Sequence, residues 1–382
     1  MPKIFATLFF TALIFSCLSA QSPPDTPYPS SLIPHPSFEL GIHAGTLLRH
    51  TPKLTVQTGQ RVPGFDVGIR WRTIGRRDWQ QMFGFPTVGL ALSRFSLGEA
   101  AHGDLYCLTP NISFAWLRLR DWSLTLRLVG GAGYMTKPYD YFQNPDQNAI
   151  GSHFNAIAQF RLGAEYRLSG HLRLGVGGGL THASNGGWAL PNLGANIPTG
   201  YFSITYSPEK EAVAQKRLLQ RKPERRLGGL LQMGAAWVEY IIVDGARHPV
   251  WSASAAAAWR FSKVNRLLLG VDWEFNRSVY AWGLQTTAFD TEAIAQRGAT
   301  RWAVKLADEF LFGNLGVAYE MGFYVGKPDI NQYVLTRQFS KLAVRYYLPG
   351  FSSLGVRPNI GLALKAHRAV AEYLSVNAGF SF

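Results

Sequence analysis

Cysteine is nearly absent: Cys17 and Cys107 are the only two in 382 residues. Cys17 lies in an N-terminal apolar run, and Phe15 and Ser16 before it make a poor lipoprotein signal. If Cys17 leaves with a secretory signal, Cys107 stands alone and no intramolecular disulfide is possible. Charge is scarce as well, with Asp, Glu, Lys and Arg making up 16% of the chain against roughly 25% in soluble globular proteins. After the N-terminus, no segment supplies the run of about 18 or more apolar residues that a transmembrane helix requires. No group of His, Cys, Asp and Glu has metal-ligand spacing, so no metal site is expected. The glycines around Gly130 and Gly175 lie in alternating stretches and not at a strand-to-helix turn, so no cofactor is expected either.

The chain is instead rich in apolar and aromatic residues, at 47% and 13%. Surplus aromatics with few charges suggest a membrane. Without apolar helices the spanning structure must then be a closed β-barrel, because only helices and barrels satisfy every backbone polar group in lipid. Residues 1–20 read as a secretory signal peptide, with Lys3, an apolar run from Ile4 to Phe15, and small residues at Ser19 and Ala20.

A barrel strand alternates with a period of two, and the pattern recurs along the chain. Phe65, Val67, Ile69 and Trp71 alternate with Asp66, Gly68 and Arg70. Trp122, Leu124, Leu126 and Leu128 alternate with Ser123, Thr125 and Arg127, and Ala158 to Leu168 behaves the same way. In the second half Leu267, Leu269, Val271, Trp273 and Phe275 carry the theme, and Leu374 to Phe382 closes it. Trp251 and Trp259 bracket an alanine-rich run, as aromatic girdles at two membrane interfaces would. Ser169-Gly170-His171 and Lys263-Val264-Asn265 suit periplasmic turns, whereas Tyr139 to Gly151 and Gln285 to Gly298 suit longer outer loops.

The reading is an all-β antiparallel transmembrane barrel with about eight strands before Ser207 and about eight after. Residues 21–207 form the first half and 227–382 the second. Between them 208–226 is a charged linker on the periplasmic side, with seven Lys and Arg against three Glu. It lacks the interleaved aromatics of a nucleic-acid surface, so nucleic acid is not an expected partner. The uniform strand character favours one barrel of about 16 strands over two of about eight in tandem.

One window concentrates chemistry: Thr181 to Asn196, THASNGGWALPNLGAN. His182 and Ser184 are two apart, which on a strand places both side chains on one face. Leu172, Leu174, Val176 and Leu180 share their parity, so both are expected to face lipid. Asn196 shares the parity of Phe202, Ile204 and Tyr206 on the returning strand. His182 and Ser184 could simply be interfacial residues entering an Asn-Gly-Gly turn. They also suit ester hydrolysis, with His182 as base, Ser184 as nucleophile, and the Asn192 amide and Gly187 N–H as oxyanion donors. His367 and Glu372 are expected to be interior or interfacial residues of the barrel.

The pattern H-x-S-N-G-G followed by P-N-x-G resembles the PagL-type lipid A 3-O-deacylases, an acyloxyacyl hydrolase family of outer-membrane barrels whose site faces lipid. Asn148-Ala149-Ile150-Gly151-Ser152 is similar to that family too, and residues 150–206 carry the likeness. The resemblance implies His182 as general base, Ser184 as nucleophile, and Asn192 with Gly187 as oxyanion hole. Asn185 matches a recurrent motif position. It also implies lipid A or a related membrane lipid as substrate and the bacterial outer membrane as location. One residue departs from the pattern. Asn196 stands where the family has a Glu, and Glu165 is no substitute because its parity points inward. The competing expectation is a non-catalytic barrel, a channel or structural protein that has lost the triad acid. No motif supports a surface-binding role.

Overall fold

The computed structural model describes residues 35–98, 101–209, 226–240, 243–326, 337–349, 355–367 and 370–382. The expected signal peptide and nearly all of the charged linker lie outside these residues. Contacts divide the chain into two units, with the short segment Gly186–Leu190 grouped with the second.

The first unit holds β1 (Pro36–Thr46), β2 (Arg61–Arg72), β3 (Thr87–Ser96), β4 (Asp104–Leu119), β5 (Trp122–Met135), β6 (Phe154–Arg167), β7 (Leu172–Ser184) and β8 (Ala195–Tyr206). Each pairs antiparallel with the next, and β8 returns to β1 with Phe38 opposite Tyr206 and Gly45 opposite Thr199. The expected single barrel of about 16 strands is therefore not what forms: the first eight strands close on themselves. The second eight do likewise. Period-two alternation specifies which face of a strand meets lipid but not which distant strand completes the ring. At eight strands the interior is just wide enough for side chains to fill it, and here it is filled.

Outside the first barrel, Leu40 and Ile42 of β1 are more than 60% exposed, and Val67, Leu92, Leu108 and Val176 continue an apolar girdle. Inside, charged residues pair. Glu39 is clasped by Arg70 at 2.6 Å and Arg127 at 2.5 Å, Arg161 meets Asp66 at 2.7 Å, and Arg70 reaches Glu165 at 2.9 Å. A lone buried ion would cost several kcal/mol, so each is tolerated only because its partners replace water. Towards the end where β7 finishes and β8 begins, the filling turns apolar: Leu47, Phe95, Leu105, Met135, Ile150 and Ile197 form a buried cluster. This plug backs the candidate site. A short helix, α1 (Asp78–Met82), lies in the β2–β3 connection.

The second unit holds β9 (Leu227–Glu239), β10 (Arg247–Arg260), β11 (Asn265–Asn276), β12 (Thr300–Phe312), β13 (Leu315–Tyr324), β14 (Gln338–Tyr347), β15 (Arg357–His367) and β16 (Val370–Ser381), closed by β16 pairing with β9. Between β11 and β12 run two helices, α2 (Arg277–Gln285) and α3 (Glu292–Ala299), where a plain outer loop was expected. Both begin with side-chain caps: Asn276 Oδ1 accepts the Ser278 N–H at 3.0 Å, and Thr291 Oγ1 accepts the Ile294 N–H at 3.3 Å. The lumen is packed with ion pairs. Arg266 and Arg345 share Glu309, Lys305 links Asp272 to Glu320, and Lys365 and Arg301 share Glu274 and Glu372. His367 and Glu372 are interior residues, 2% and 4% exposed.

Candidate active site

Strand β7 is glycine-rich until Leu180 and then carries Thr181, His182, Ala183 and Ser184 to its end. Ala183 is fully buried and Thr181 nearly so, which fixes the odd positions inward. On β8 the buried residues are Ala195, Ile197, Thr199, Ser203 and Thr205, all at odd positions. The even positions therefore face outward, and His182 and Asn196 lie on the same outer surface as Val176, Phe202, Ile204 and Tyr206. The strand register sets them directly opposite each other. Opposed Cβ atoms in such a pair lie about 4.5–5.5 Å apart, close enough for their side chains to bond. His182 Nδ1 and Asn196 Oδ1 are 2.7 Å apart. An amide oxygen can only accept, so Nδ1 carries the proton and Nε2 keeps its lone pair.

Ser184 is two residues further on, at the strand end, and 6% exposed. Asn192, in the loop that returns to β8, reaches it. Asn192 Nδ2 donates to Ser184 Oγ at 3.2 Å, and Asn192 Oδ1 accepts the Asn185 N–H at 3.2 Å while lying 3.3 Å from Ser184 Oγ. The Asn185 backbone thus orients the Asn192 amide with its NH2 towards the hydroxyl. The amide is thereby held beside Ser184 Oγ at the end of β7. Gly187 lies in the segment grouped with the second unit, where its carbonyl accepts the Glu239 N–H at 3.1 Å. Its φ of +81° is one that residues with a Cβ rarely adopt. Glu165 points into the barrel, as its parity implied, and holds Arg70.

Two supports were not identifiable from spacing. Gly194 has φ +82°, donates its N–H to Ala149 O at 2.8 Å, and lies so close to the imidazole that a Cβ there would sit 2.8 Å from His182 Cε1. Asn148 ties down the loop after β1, accepting the Thr55 N–H at 2.9 Å and donating to Lys53 O at 2.7 Å. Ala149 and Ile150 then bury themselves beneath the site. The Asn148–Ser152 motif therefore acts as a brace behind the ends of β7 and β8 that carry His182, Ser184 and Asn196. Its sequence signal was visible, but its purpose was not. Among the described residues, no group of His, Cys, Asp and Glu is placed to hold a metal ion.

Two family models match the chain, one on each barrel. Residues 64–205 match lipid A 3-O-deacylase (PagL), and residues 227–382 match the acyloxyacyl hydrolase C-terminal domain. No curated protein sequence matches. Among solved structures, the outer membrane enzyme PagL aligns at 15% identity over 43% of this chain and 97% of its own, with a TM-score of 0.30. Neisserial surface protein A aligns at 7% identity over 45% of this chain and 96% of its own, with a TM-score of 0.29. OccAB1 from Acinetobacter baumannii aligns at 10% identity over 91% of this chain and 96% of its own, with a TM-score of 0.24. The placement rests on the two family models, which together take in well over half of the chain: it belongs to the PagL-type lipid A 3-O-deacylase (acyloxyacyl hydrolase) family of outer-membrane β-barrels.

Proposed function

We propose that the first barrel is an outer-membrane esterase that removes an ester-linked acyl chain from lipid A or a related lipid by a Ser184/His182 mechanism. The observation that carries this reading is a pair of contacts side by side on β7, in which Asn196 bonds His182 Nδ1 and Asn192 bonds Ser184 Oγ. A lipid substrate reaches these residues from the membrane without entering the barrel.

In the first step Ser184 Oγ bonds to the ester carbonyl carbon as His182 Nε2 takes the hydroxyl proton. The carbonyl oxygen becomes an oxyanion, and the Asn192 NH2, with the Gly187 N–H that the motif supplies, stabilises it. Collapse breaks the bond from carbon to the alkoxy oxygen, which receives the proton from His182, so the shortened lipid leaves as an alcohol. Water then attacks the acyl-Ser184 ester with His182 again as base, and the fatty acid departs. Asn196 orients the imidazole throughout but brings no negative charge to the imidazolium, so turnover is slower than with a carboxylate in that position.

The test is mass spectrometry of lipid A, with assay of released 3-hydroxy fatty acid, from membranes carrying the intact protein or Ser184→Ala. Release by the intact protein and none by the variant, with equal barrel assembly, is the expected result. Equal release by both overturns the mechanism.

A further inference from the structure

At the other end of the first barrel, beside the short β4–β5 turn, lies a cavity of about 130 Å3. Arg173, at the start of β7, lines it, whereas Ser184 ends the same strand. At ~3.3 Å per residue the two are roughly 35 Å apart along the strand. This cavity is therefore separate from the esterase site.

Its wall is strongly basic. Arg70, Arg72, Arg118, Arg120, Arg167 and Arg173 line it, against the two carboxylates Asp121 and Glu165, so six positive charges less two negative ones leave a net +4 on the wall. Both carboxylates are already engaged, Asp121 by Arg167 at 2.8 Å and Glu165 by Arg70 at 2.9 Å. Arg70, on the buried floor, also gives Nη1 to Glu39 at 2.6 Å. Its Nε–H is buried and makes no hydrogen bond among the described residues, which leaves this arginine with donor capacity to spare. Arg120 occupies the β4–β5 turn with φ +47°, a backbone conformation better suited to glycine or asparagine.

We propose that this cavity is a binding site for a phosphate group. Six arginines on the wall of one small space, Arg118 among them with Nη2 given to Gly84 O at 3.0 Å, call for an anion with acceptors pointing in several directions. A phosphate has such oxygens, whereas a carboxylate presents two in one plane and suits a single bidentate partner. The space is large enough to admit a phosphate group. Short turns mark the periplasmic end of such barrels. The phosphate is therefore either free in the periplasm or carried on a phospholipid headgroup of the inner leaflet, whose surface lies at this level.

The full-length protein in a phosphate-free maltoside detergent is titrated calorimetrically with sodium phosphate and, at matched ionic strength, with sodium chloride. Saturable binding of phosphate alone is expected. The Arg118→Ala/Arg120→Ala variant should weaken it by about tenfold or more. Both changes lie at the exposed mouth, and heat-modifiable gel mobility reports that the barrel remains folded. Acyl release by this variant stays at the level of the unaltered protein, which separates the two sites. A response to phosphate no greater than to chloride, or unchanged affinity in the double variant, overturns the proposal. Mixed micelles containing phosphatidylglycerol identify the source: competition with inorganic phosphate assigns the site to a headgroup, and lack of competition to free phosphate.

Discussion

His182 and Asn196 face one another across β7 and β8, with Nδ1 and Oδ1 2.7 Å apart, on the outer surface of a closed barrel. In the proposed mechanism the bond supplies half of what a triad acid supplies. It fixes which ring nitrogen carries the proton, but it leaves the imidazolium without a counter-charge.

Asn196→Glu should therefore raise the rate. A carboxylate at the same register position keeps the acceptor for Nδ1 and adds the missing charge. Replacing the acid of a serine protease with its amide costs on the order of 10⁴ in kcat, part of that through a wrong tautomer that is not at issue here. A gain of roughly 10- to 1000-fold in kcat is expected, with KM little changed. Initial rates of fatty-acid release from lipid A in mixed micelles measure it. An unchanged or lower rate in a folded Asn196→Glu protein would show that charge at this position does not limit turnover.

Asn192→Ala removes the amide that lies against Ser184 Oγ. An oxyanion donor of this kind is worth roughly 10²–10³ in kcat, and the loss should fall on kcat with little change in KM, because the donor acts mainly on the transition state. Asn192 also accepts the Asn185 N–H, so the comparison with Asn192→Asp is informative. The aspartate keeps that acceptor but presents no donor, and its kcat should be as low as that of the alanine variant. Near-normal kcat in the aspartate would remove Asn192 from the oxyanion hole.

The outer face was legible because alternation is local. Phe202, Ile204 and Tyr206 gave the parity of Asn196, and Leu172 to Leu180 gave that of His182 and Ser184. Glu165 could be placed inside for the same reason. Ring closure was not legible. That β8 turns back to Phe38 instead of pairing onward with β9 depends on filling a lumen with Arg70, Arg127, Arg161 and their carboxylates, and no short window of sequence shows which charges will meet. The brace formed by Asn148 and Ala149 is hidden for a similar reason: Asn148 acts on Lys53 and Thr55, more than 90 positions away.

Gly194→Ala tests how tightly that brace holds the imidazole. The added Cβ would lie 2.8 Å from His182 Cε1, and φ +82° disfavours any side chain. Strain of this type costs about 1–3 kcal/mol, and displacing a catalytic group by about 1 Å can cost on the order of 10² in rate. The expected outcome is a folded barrel with a modestly lower unfolding midpoint and activity down by about that factor. Full activity would mean that the imidazole has room that the Gly194 contact denies.

In the second barrel the critical charge is Glu372, buried between Arg301 at 2.7 Å and Lys365 at 3.2 Å. Glu274 also touches both cations, at 3.1 Å and 2.5 Å, so two carboxylates balance two bases in a space closed to water. Glu372→Gln keeps the shape and removes one negative charge, leaving an uncompensated buried cation. Breaking a buried pair from one side typically costs about 3–5 kcal/mol, and urea unfolding in lipid vesicles followed by tryptophan fluorescence should show a loss of that order in the transition of this barrel. Glu292→Gln is the control, because Glu292 is exposed and bonds only the Tyr280 hydroxyl among the described residues, at 2.8 Å; its midpoint should not move. If the two variants unfold alike, the lumen of the second barrel admits enough water to solvate Arg301 and Lys365, and the paired charges are not what holds this barrel closed.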